Sequence, residues 1–242
     1  MIQTYRSDDS DCYRMEYTKP HAVLEPLEKE IAVVEEALHV LHEAGVLPHI
    51  RYDHAKMLAH RQAVRDLFEI PWTAITPRMQ RLLYAINATV QPQNMIAAGV
   101  FCGNTFISNT GAAVGPGACY TARQLIGVEI QPEEAKRAQR NLKRIDPTGT
   151  ARVIADDAVN TLAQFSEPID LLYLDTDGDI YFKILEAGYD QMPSGGVVLA
   201  HNSVNAAEEL ESYLSFVRNP AHFRVSVNVI FDIEGLEVSV KC

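Results

Sequence analysis

The 242-residue sequence is poor in cysteine and contains no long apolar run. Its four cysteines are scattered, with no CxxC pair and no spacing typical of a disulfide framework, so we expect no disulfide scaffold. No apolar run approaches the ~20 residues that a membrane-spanning helix needs. The first residues also lack the apolar segment of a secretory signal. Together these absences predict a soluble, cytoplasmic protein that has no membrane partner.

An excess of positive charge is also missing. Lysine and arginine number 21 against 32 aspartate and glutamate residues, which gives a formal net charge of −11. Phosphate backbones repel such a protein at long range, so a nucleic-acid partner is not expected. The chain is 47% hydrophobic and long enough to bury a sizeable core without metals or disulfides. Composition therefore favours a protein that acts on small molecules.

The first third of the chain is predicted to be helical. Between Leu27 and Leu41, apolar residues recur at intervals of three and four, which is typical of one helix face, and Gly45 ends this helix. Further helices are predicted over 54–68 and after Thr76, which is the N-cap of a helix that begins with proline. We expect the face of the first helix to contact the core or a second subunit. The opening 20 residues show no period and are interpreted as a mobile arm or a lid.

From Met95 onward, short apolar runs alternate with amphipathic segments. Runs that are apolar on both faces and separated by helices are typical of a parallel sheet covered on both sides. The last two runs, 224–231 and 236–240, alternate apolar and polar residues and predict an antiparallel hairpin at the sheet edge. The predicted fold is therefore α/β, a doubly wound and mostly parallel sheet with a C-terminal hairpin and extra N-terminal helices.

Polar residues follow the predicted strands at their carboxyl ends, where such sheets bind ligands. Gly99 and Gly103 follow the first of these strands and either let backbone amides approach a ligand or permit tight packing. Glu129 ends the next strand, where an acid can bind two ribose hydroxyls or simply be solvated. Asp157 follows the third strand and could accept from an adenine amino group or cap the next helix. The three features together predict a nucleoside site.

Two further strands end in groups that could bind a cation. Asp175 follows one of them, and His201 and Asn202 end the other. On adjacent strands these side chains would offer oxygen, nitrogen and oxygen ligands to a divalent ion. The alternative is a metal-free site in which His201 is a base or a hydrogen-bond partner. The nearby Asp177 and Asp179 could help to hold a cation, but capping of a helix N-terminus is favoured for them.

In this order and spacing, the motifs resemble those of class I S-adenosylmethionine-dependent methyltransferases. Within that class the chain most resembles the divalent-metal-dependent O-methyltransferases, which include the catechol and caffeoyl-CoA enzymes. The resemblance covers the chain from Ile75 onward and implies a Rossmann-like sheet of seven strands in the order 3-2-1-4-5-7-6. We accordingly divide the chain into a helical cap or assembly segment, 1–74, and a cofactor-binding methyltransferase domain, 75–242.

The resemblance also implies roles for individual residues. The stretches that carry it are Thr76-Pro-Arg-Met-Gln80, Gly99-Val-Phe-Cys-Gly103-Asn-Thr, Val128-Glu-Ile130, Asp157-Ala158, Leu174-Asp-Thr-Asp177 and Pro193 to Asn202. The residues assigned to S-adenosylmethionine are Gly99, Phe101, Gly103, Asn104, Thr105, Glu129, Asp157, Ala158 and Asp175. Those assigned to a divalent metal are Asp175, His201 and Asn202, and catalysis is assigned to Asp175 and His201.

Three positions depart from the family pattern. The acid that usually precedes the first glycine is Ala97 here. The lysine that serves as general base in many members falls at Gly178, so no base is assigned. His201 replaces an aspartate ligand, which would weaken Mg²⁺ binding and favour Mn²⁺, Fe²⁺ or Zn²⁺.

The predicted function is methyl transfer from S-adenosylmethionine to a hydroxyl oxygen of a small molecule, in a homodimer. The alternative is a diverged cofactor-binding paralogue with a regulatory or scaffold role, which Ala97 and Gly178 favour. A nucleic-acid methyltransferase ranks lower because the chain is acidic and has no basic aromatic stripe. Four aromatic residues are interpreted as walls of an acceptor pocket or as packing residues, namely Tyr5, Tyr13, Tyr17 and Trp72.

Overall fold

The computed structural model describes residues 3–242, and strands and helices alternate over 94–217, as predicted. The strands are β1 (Gln3–Arg6), β2 (Asn94–Ala98), β3 (Gln124–Glu129), β4 (Ala151–Ala155), β5 (Leu171–Leu174), β6 (Val197–His201), β7 (Phe223–Ile230) and β8 (Leu236–Lys241). The α-helices are α1 (Leu27–Glu43), α2 (His54–Leu67), α3 (Pro77–Val90), α4 (Asn104–Thr110), α5 (Pro132–Ile145), α6 (Ala158–Gln164), α7 (Tyr181–Gly188) and α8 (Glu211–Val217).

The eight described strands form one sheet in the order β1-β7-β8-β6-β5-β2-β3-β4. Strands β2 to β6 pair in parallel with their neighbours among themselves, whereas β8 is antiparallel to both β6 and β7. With β1 set aside, this is the order 3-2-1-4-5-7-6 that the resemblance implied. The predicted doubly wound α/β fold with an antiparallel C-terminal hairpin is confirmed.

The strand count is eight, not seven, because the opening segment contributes β1. This strand pairs in parallel with β7, with Gln3 opposite Val227 and Arg6 opposite Ile230. Only Tyr5 of its four residues is buried, so the segment has no apolar alternation by which a strand could be predicted. The arm or lid predicted for the opening segment is therefore wrong for residues 3–6. Met1 and Ile2 lie outside the described residues.

The N-terminal helices pack against one face of the sheet. The side chains of Val34, Leu38 and Leu41 on α1 are fully buried, in the same apolar cluster as Met95 of β2. Of the two alternatives for this helix face, the structure shows the core. The opposite face of the sheet is covered by α6, α7 and α8. None of the described helices is long and apolar enough to cross a membrane.

The start of α3 is tied to the connection between β7 and β8. Thr76 is the N-cap of α3, as predicted, and its hydroxyl accepts from the backbone N–H of Met79 at 3.3 Å. The same hydroxyl donates to Oδ2 of Asp232 at 2.9 Å, and both residues are buried. This bond holds the hairpin connection beside the carboxyl ends of the parallel strands.

Candidate active site

A cavity of about 300 Å³ lies at the carboxyl ends of the parallel strands. Most of the side chains assigned to a ligand from the sequence line it, namely Gly99, Phe101, Asn104, Thr105, Glu129, Asp175, His201 and Asn202. Gly103, Asp157 and Ala158 are not among the lining residues. The topology thus brings residues from four strand ends to one cavity, as expected for an open parallel sheet.

The turn after β2 depends on two glycines with positive φ. Gly99 has a φ of +76°, and a Cβ there would lie 2.1 Å from the carbonyl oxygen of Asp175. Gly103 has a φ of +93°, and a Cβ there would lie 3.3 Å from that of Ala138. Close packing therefore explains why both positions are glycine. The backbone of Gly99 also forms part of the cavity wall.

Glu129 is buried beneath this turn and holds it in place. Its Oε2 accepts from the backbone N–H groups of Val100 at 3.2 Å and Phe101 at 2.8 Å. Its Oε1 accepts from the N–H of Gln131 at 3.0 Å. A carboxylate offers about four lone-pair positions, so one on Oε1 stays available for a ligand hydroxyl. Glu129 thus orients the turn by its hydrogen bonds. The acid that precedes this turn in the family is replaced here by Ala97.

Asp157 is the N-cap of α6, which was one of its two predicted roles. Its Oδ1 accepts from the backbone N–H of Val159 at 2.7 Å. Asp157 is exposed and lies outside the cavity lining, so contact with an adenine ring stays a prediction.

The centre of the cavity floor is a buried imidazole between two carboxylates. Nδ1 of His201 lies 3.1 Å from Oδ1 of Asp175, and Nε2 lies 3.6 Å from Oε2 of Glu234. The phenol of Tyr173 donates to the other oxygen of Asp175 at 3.3 Å. His201 itself is only 3% exposed. Because the carboxylate of Asp175 accepts from Nδ1, the ring presents Nε2 to the cavity.

Burial and charge act in opposite directions on this group. Burial would lower the pKa of His201, but the carboxylates of Asp175 and Glu234 outweigh it and raise the pKa well above 6.5. Burial raises the pKa of Glu234, although the neighbouring imidazole partly offsets that shift. The raised pKa favours the imidazolium form of His201, which can donate a hydrogen bond from each nitrogen.

The three predicted metal ligands do not fit a divalent ion as they are arranged. Oδ1 of Asp175 and Nδ1 of His201 contact each other directly, so neither atom is free for a shared ion. The amide of Asn202 instead donates to Oδ1 of Asn205 at 3.1 Å. Within residues 3–242, no group of three or more histidine, cysteine, aspartate or glutamate side chains is placed to hold a metal. The metal site stays a prediction that this arrangement does not support.

The position of the family's lysine is closed to a long side chain. Gly178 is buried, and a Cβ there would lie 2.9 Å from Cβ of Glu209. The adjacent Asp177 and Asp179 are exposed. No side chain caps the short helical turn over 178–180, in the part of the chain that the structure describes. The two acids therefore begin this turn without the capping bond.

Three aromatic side chains form a row in the cavity lining. The rings of Tyr17 and Trp72 are 5.8 Å apart, and that of Trp72 is 4.6 Å from Phe101. These two residues of the predicted aromatic set line the cavity. The other two are packing residues, because Tyr5 packs on Phe231 and Tyr13 lies beneath the guanidinium of Arg78.

Three polar lining residues were not predicted from the sequence. Glu234 lies in the connection between β7 and β8, which reads as an ordinary polar turn. Asn205 follows β6, and Thr73 precedes α3, where its hydroxyl accepts from the amide of Asn104 at 3.0 Å. The sequence holds no local signal for these residues, since their place in the cavity follows from contacts between distant segments.

Comparisons with known proteins agree with the predicted class. Residues 96–203 match the family described as a methyltransferase domain. A catechol O-methyltransferase of Niastella koreensis is 23% identical over 59% of this chain and 63% of its own length. One from Mycobacterium tuberculosis is 24% identical over 61% of this chain and 64% of its own length. The chain thus spans less than two thirds of the length of these curated relatives.

Solved methyltransferase structures share the fold. An O-methyltransferase from Bacillus cereus in complex with S-adenosylhomocysteine has a TM-score of 0.59 at 17% identity, over 89% of this chain and all of its own. An S-adenosylhomocysteine-bound methyltransferase from Podospora anserina has a TM-score of 0.61 at 14% identity, over 91% of this chain and 99% of its own. The resemblance to S-adenosylmethionine-dependent O-methyltransferases is confirmed in sequence and fold.

Proposed function

We propose that this chain, which is similar to S-adenosylmethionine-dependent O-methyltransferases and matches the methyltransferase domain family over 96–203, transfers a methyl group to a hydroxyl oxygen of a small molecule. The observation that carries the proposal is one cavity lined by both Glu129 and the Asp175–His201 pair. The first is suited to a nucleoside, and the second to an acceptor oxygen. A methyl transfer needs both ligands side by side.

The cofactor half of the cavity lies at the glycine turn. The remaining lone pair of Glu129 would accept from a ribose hydroxyl, and the backbone of Gly99 forms the wall beside it. Asn104 and Thr105 begin α4, directly after the turn. When bound, S-adenosylmethionine supplies a methyl group on a positively charged sulfur. The predicted roles of Gly103, Asp157 and Ala158 toward the cofactor remain part of the proposal.

The acceptor half lies at Asp175 and His201. The acceptor oxygen forms its bond to the methyl carbon while the carbon–sulfur bond breaks, the electron pair stays on sulfur, and the hydroxyl proton is released. Nε2 of His201 donates to that oxygen and stabilises the negative charge that develops on it. Asp175 accepts from Nδ1 and keeps the ring in this orientation. No step is routed through a metal ion, because the predicted ligands do not fit one.

Calorimetry with S-adenosylhomocysteine tests the cofactor half. We expect binding by the native chain and at least a ~10-fold weaker Kd for Glu129→Gln, which loses a charge-assisted bond worth about 1.5–3 kcal/mol. Glu133→Gln is the matched control, because Glu133 lies four residues away, is exposed and is paired with the exposed Lys136. An equal loss of affinity in both variants, or no binding by the native chain, would contradict the proposal.

Turnover of a panel of phenols, corrected for spontaneous hydrolysis of the cofactor, tests the chemistry. We expect His201→Ala to lower turnover by about 10²-fold or more, because it removes the donor to the developing oxyanion. His39→Ala is the control, since His39 is exposed on α1. Cofactor binding without turnover of any phenol would favour the regulatory or scaffold paralogue instead.

The assembly and the domain division are also proposals. We propose that the chain forms a homodimer and that residues 1–74 act as a cap or assembly segment for the methyltransferase domain, 75–242. Exposed apolar side chains on the described part of this segment, Val23, Leu58, Leu67 and Trp72, support an interface there. Light scattering that gives a mass twice that of the chain would support the dimer, and a single-chain mass would contradict it.

A further inference from the structure

Two buried polar atoms lie beside each other in the acceptor half of the cavity, and neither forms a hydrogen bond within the described residues. They are Nε2 of His201 and Oε2 of Glu234. The two atoms are 3.6 Å apart, which is too long for a good hydrogen bond between them. Both residues line the same cavity. At this separation they form an ion pair without a hydrogen bond, so each has a hydrogen-bonding position left for a ligand.

Hydrogen bonds to other segments hold both His201 and Glu234 in position. His201 is oriented by Asp175, as described above. The backbone N–H of Glu234 donates to Oδ1 of Asp232 at 3.1 Å, and its carbonyl accepts from the N–H of Val204 at 2.8 Å. Asp232 in turn accepts from the hydroxyl of Thr76. The carboxylate of Glu234 is therefore positioned by the start of α3 and by the segment after β6, not by its own turn alone.

A hydroxyl group has the hydrogen-bonding pattern that satisfies both atoms at once. Its O–H donates to a carboxylate oxygen, while its oxygen accepts from an imidazole N–H. An oxygen about 2.8 Å from each atom is compatible with their separation of 3.6 Å. Both atoms are shielded from water, so the acceptor oxygen that the proposed function requires reaches them when the two side chains separate slightly.

We propose that Glu234 is the general base of the methyl transfer and that the acceptor hydroxyl binds between it and His201. As the bond from oxygen to the methyl carbon forms and the carbon–sulfur bond breaks, the hydroxyl proton passes to Oε2 of Glu234. His201 donates to the same oxygen throughout. After the product leaves, the proton of Glu234 passes to solvent. This inference rests on the proposed function. It gives Glu234 the role of general base, which a lysine at the position of Gly178 has in many members of the family.

The variant Glu234→Gln tests the assignment, because it keeps the size of the side chain and removes the proton acceptor. With the phenol that the native chain methylates fastest, we expect kcat to fall by about 10²–10⁴-fold. The Kd for S-adenosylhomocysteine is expected to stay within about twofold, because the hydrogen bonds that hold the glycine turn come from Glu129 and not from Glu234. The control is Glu209→Gln, an exposed acid beside Gly178 outside the cavity. A Glu234→Gln enzyme within about threefold of native kcat would overturn the proposal.

A binding measurement separates this proposal from the proposed function, since it needs no turnover. The probe is 4-nitrophenol, added to the chain saturated with S-adenosylhomocysteine at a pH below the pKa of the free phenol. We expect the bound probe to absorb as the phenolate in the native chain and as the phenol in Glu234→Gln. Identical spectra in the two would overturn the base assignment, even if the native chain methylates phenols.

Two further arms exclude simpler explanations. Glu234→Asp keeps the carboxylate, so it should recover part of the kcat lost in Glu234→Gln; equal losses in both variants would point to a purely structural role and overturn the proposal. Titration of the native chain with MnCl₂ in a calorimeter should give no stoichiometric binding. Binding that Glu234→Gln abolishes would make His201 and Glu234 metal ligands and would overturn the base assignment.

Discussion

Gly99 lies directly beside Asp175, where the neighbouring parallel strands β2 and β5 end. The site is built on this close backbone contact. Its backbone conformation, with a φ of +76°, is one that other residues adopt only under strain. A Cβ would also fall within 2.1 Å of the carbonyl oxygen of Asp175. Asn202, at the end of β6, has a φ of +62°, which asparagine tolerates better than most residues. At the scale of single residues, the site thus depends on backbone positions as much as on side chains.

The substitution Gly99→Ala should be strongly destabilising. The positive φ alone costs about 1–2 kcal/mol, and the backbone clash adds to it because neither segment can move away freely. The matched control is Gly149→Ala, where φ is +77° and no atom lies within 4 Å of the new Cβ. Urea denaturation should show a loss of about 1–2 kcal/mol for the control and clearly more for Gly99→Ala. Equal losses would mean that the backbone at Gly99 and Asp175 shifts at no cost in free energy to make room for the methyl group.

At the scale of elements, buried ion pairs hold the three N-terminal helices together. The carboxylate of Glu30 on α1 accepts from Arg61 on α2 at 2.7 Å and from Arg81 on α3 at 2.5 Å. Glu30 is 5% exposed, and Arg81 is fully buried. A buried guanidinium is tolerated only while it is paired. Glu30 is therefore a buried carboxylate on α1 that pairs with arginines of both other helices.

Removal of this shared charge should destabilise the chain severely. We expect Glu30→Gln to lower the free energy of unfolding by about 3–5 kcal/mol, because it leaves the buried Arg81 without its counter-charge. Glu28→Gln is the control, since Glu28 is exposed on the same helix. Urea denaturation of both variants measures the difference. A change below about 1 kcal/mol for Glu30→Gln would show that the arginines find other partners.

The packing of α2 should make stability depend on pH. The imidazole of His60 is buried against Tyr84, and a Cβ at Gly111 would lie 2.2 Å from its ring. This burial lowers the pKa of His60 to about 4 from its ordinary 6.5. The unfolded chain thus binds a proton below pH 6.5 that the folded chain does not bind until about pH 4.

Stability from His60 is accordingly complete above pH 6.5 and is lost as the pH falls toward about 4. The loss is on the order of 3 kcal/mol. Chemical denaturation across this range should show a shallower dependence for His60→Gln, which does not titrate, than for the native chain. His39→Gln, on the exposed face of α1, should keep the native dependence. Parallel curves for native chain and His60→Gln would contradict the assignment.

At the scale of the whole molecule, the N-terminal helices and the sheet share one core. Buried side chains of α1 and α3 belong to the same apolar cluster as those of β2, β3 and β8. Strand β1 joins the sheet at β7, at the far edge from β4. An element of the proposed cap thus pairs with the last hairpin of the chain. Such continuity predicts one cooperative folding unit, even though we propose different functions for the two parts.

Unfolding should therefore follow a single transition. The fluorescence of Trp72, the one tryptophan, reports on the cavity, whereas far-UV circular dichroism reports on all helices. We expect the two thermal transitions to coincide. Saturation with S-adenosylhomocysteine at 100 times its Kd should stabilise both by about 2.7 kcal/mol. Separate midpoints would indicate that the cap unfolds independently of the sheet.

Much of the fold could be predicted from the sequence because it is encoded locally. The period of the apolar residues placed α1 to within two residues of its observed end, and Thr76 and Pro77 marked the start of α3. The alternation of runs and helices predicted the parallel sheet, and the resemblance implied its strand order. Strand β1 was missed because Tyr5 is its only buried side chain and its stability comes from backbone pairing with β7.

The sequence by itself determined which groups stand at the strand ends, because a polar residue directly after an apolar run can be recognised without any tertiary contact. Glu129, Asp175 and His201 were predicted in this way, and they do line one cavity. Only the tertiary structure decided what these groups face. It directed Asp175 toward His201 instead of a shared ion, and it brought Glu234 to the other ring nitrogen. The physical reason is that such contacts depend on distances between segments far apart in the chain, which no local pattern encodes.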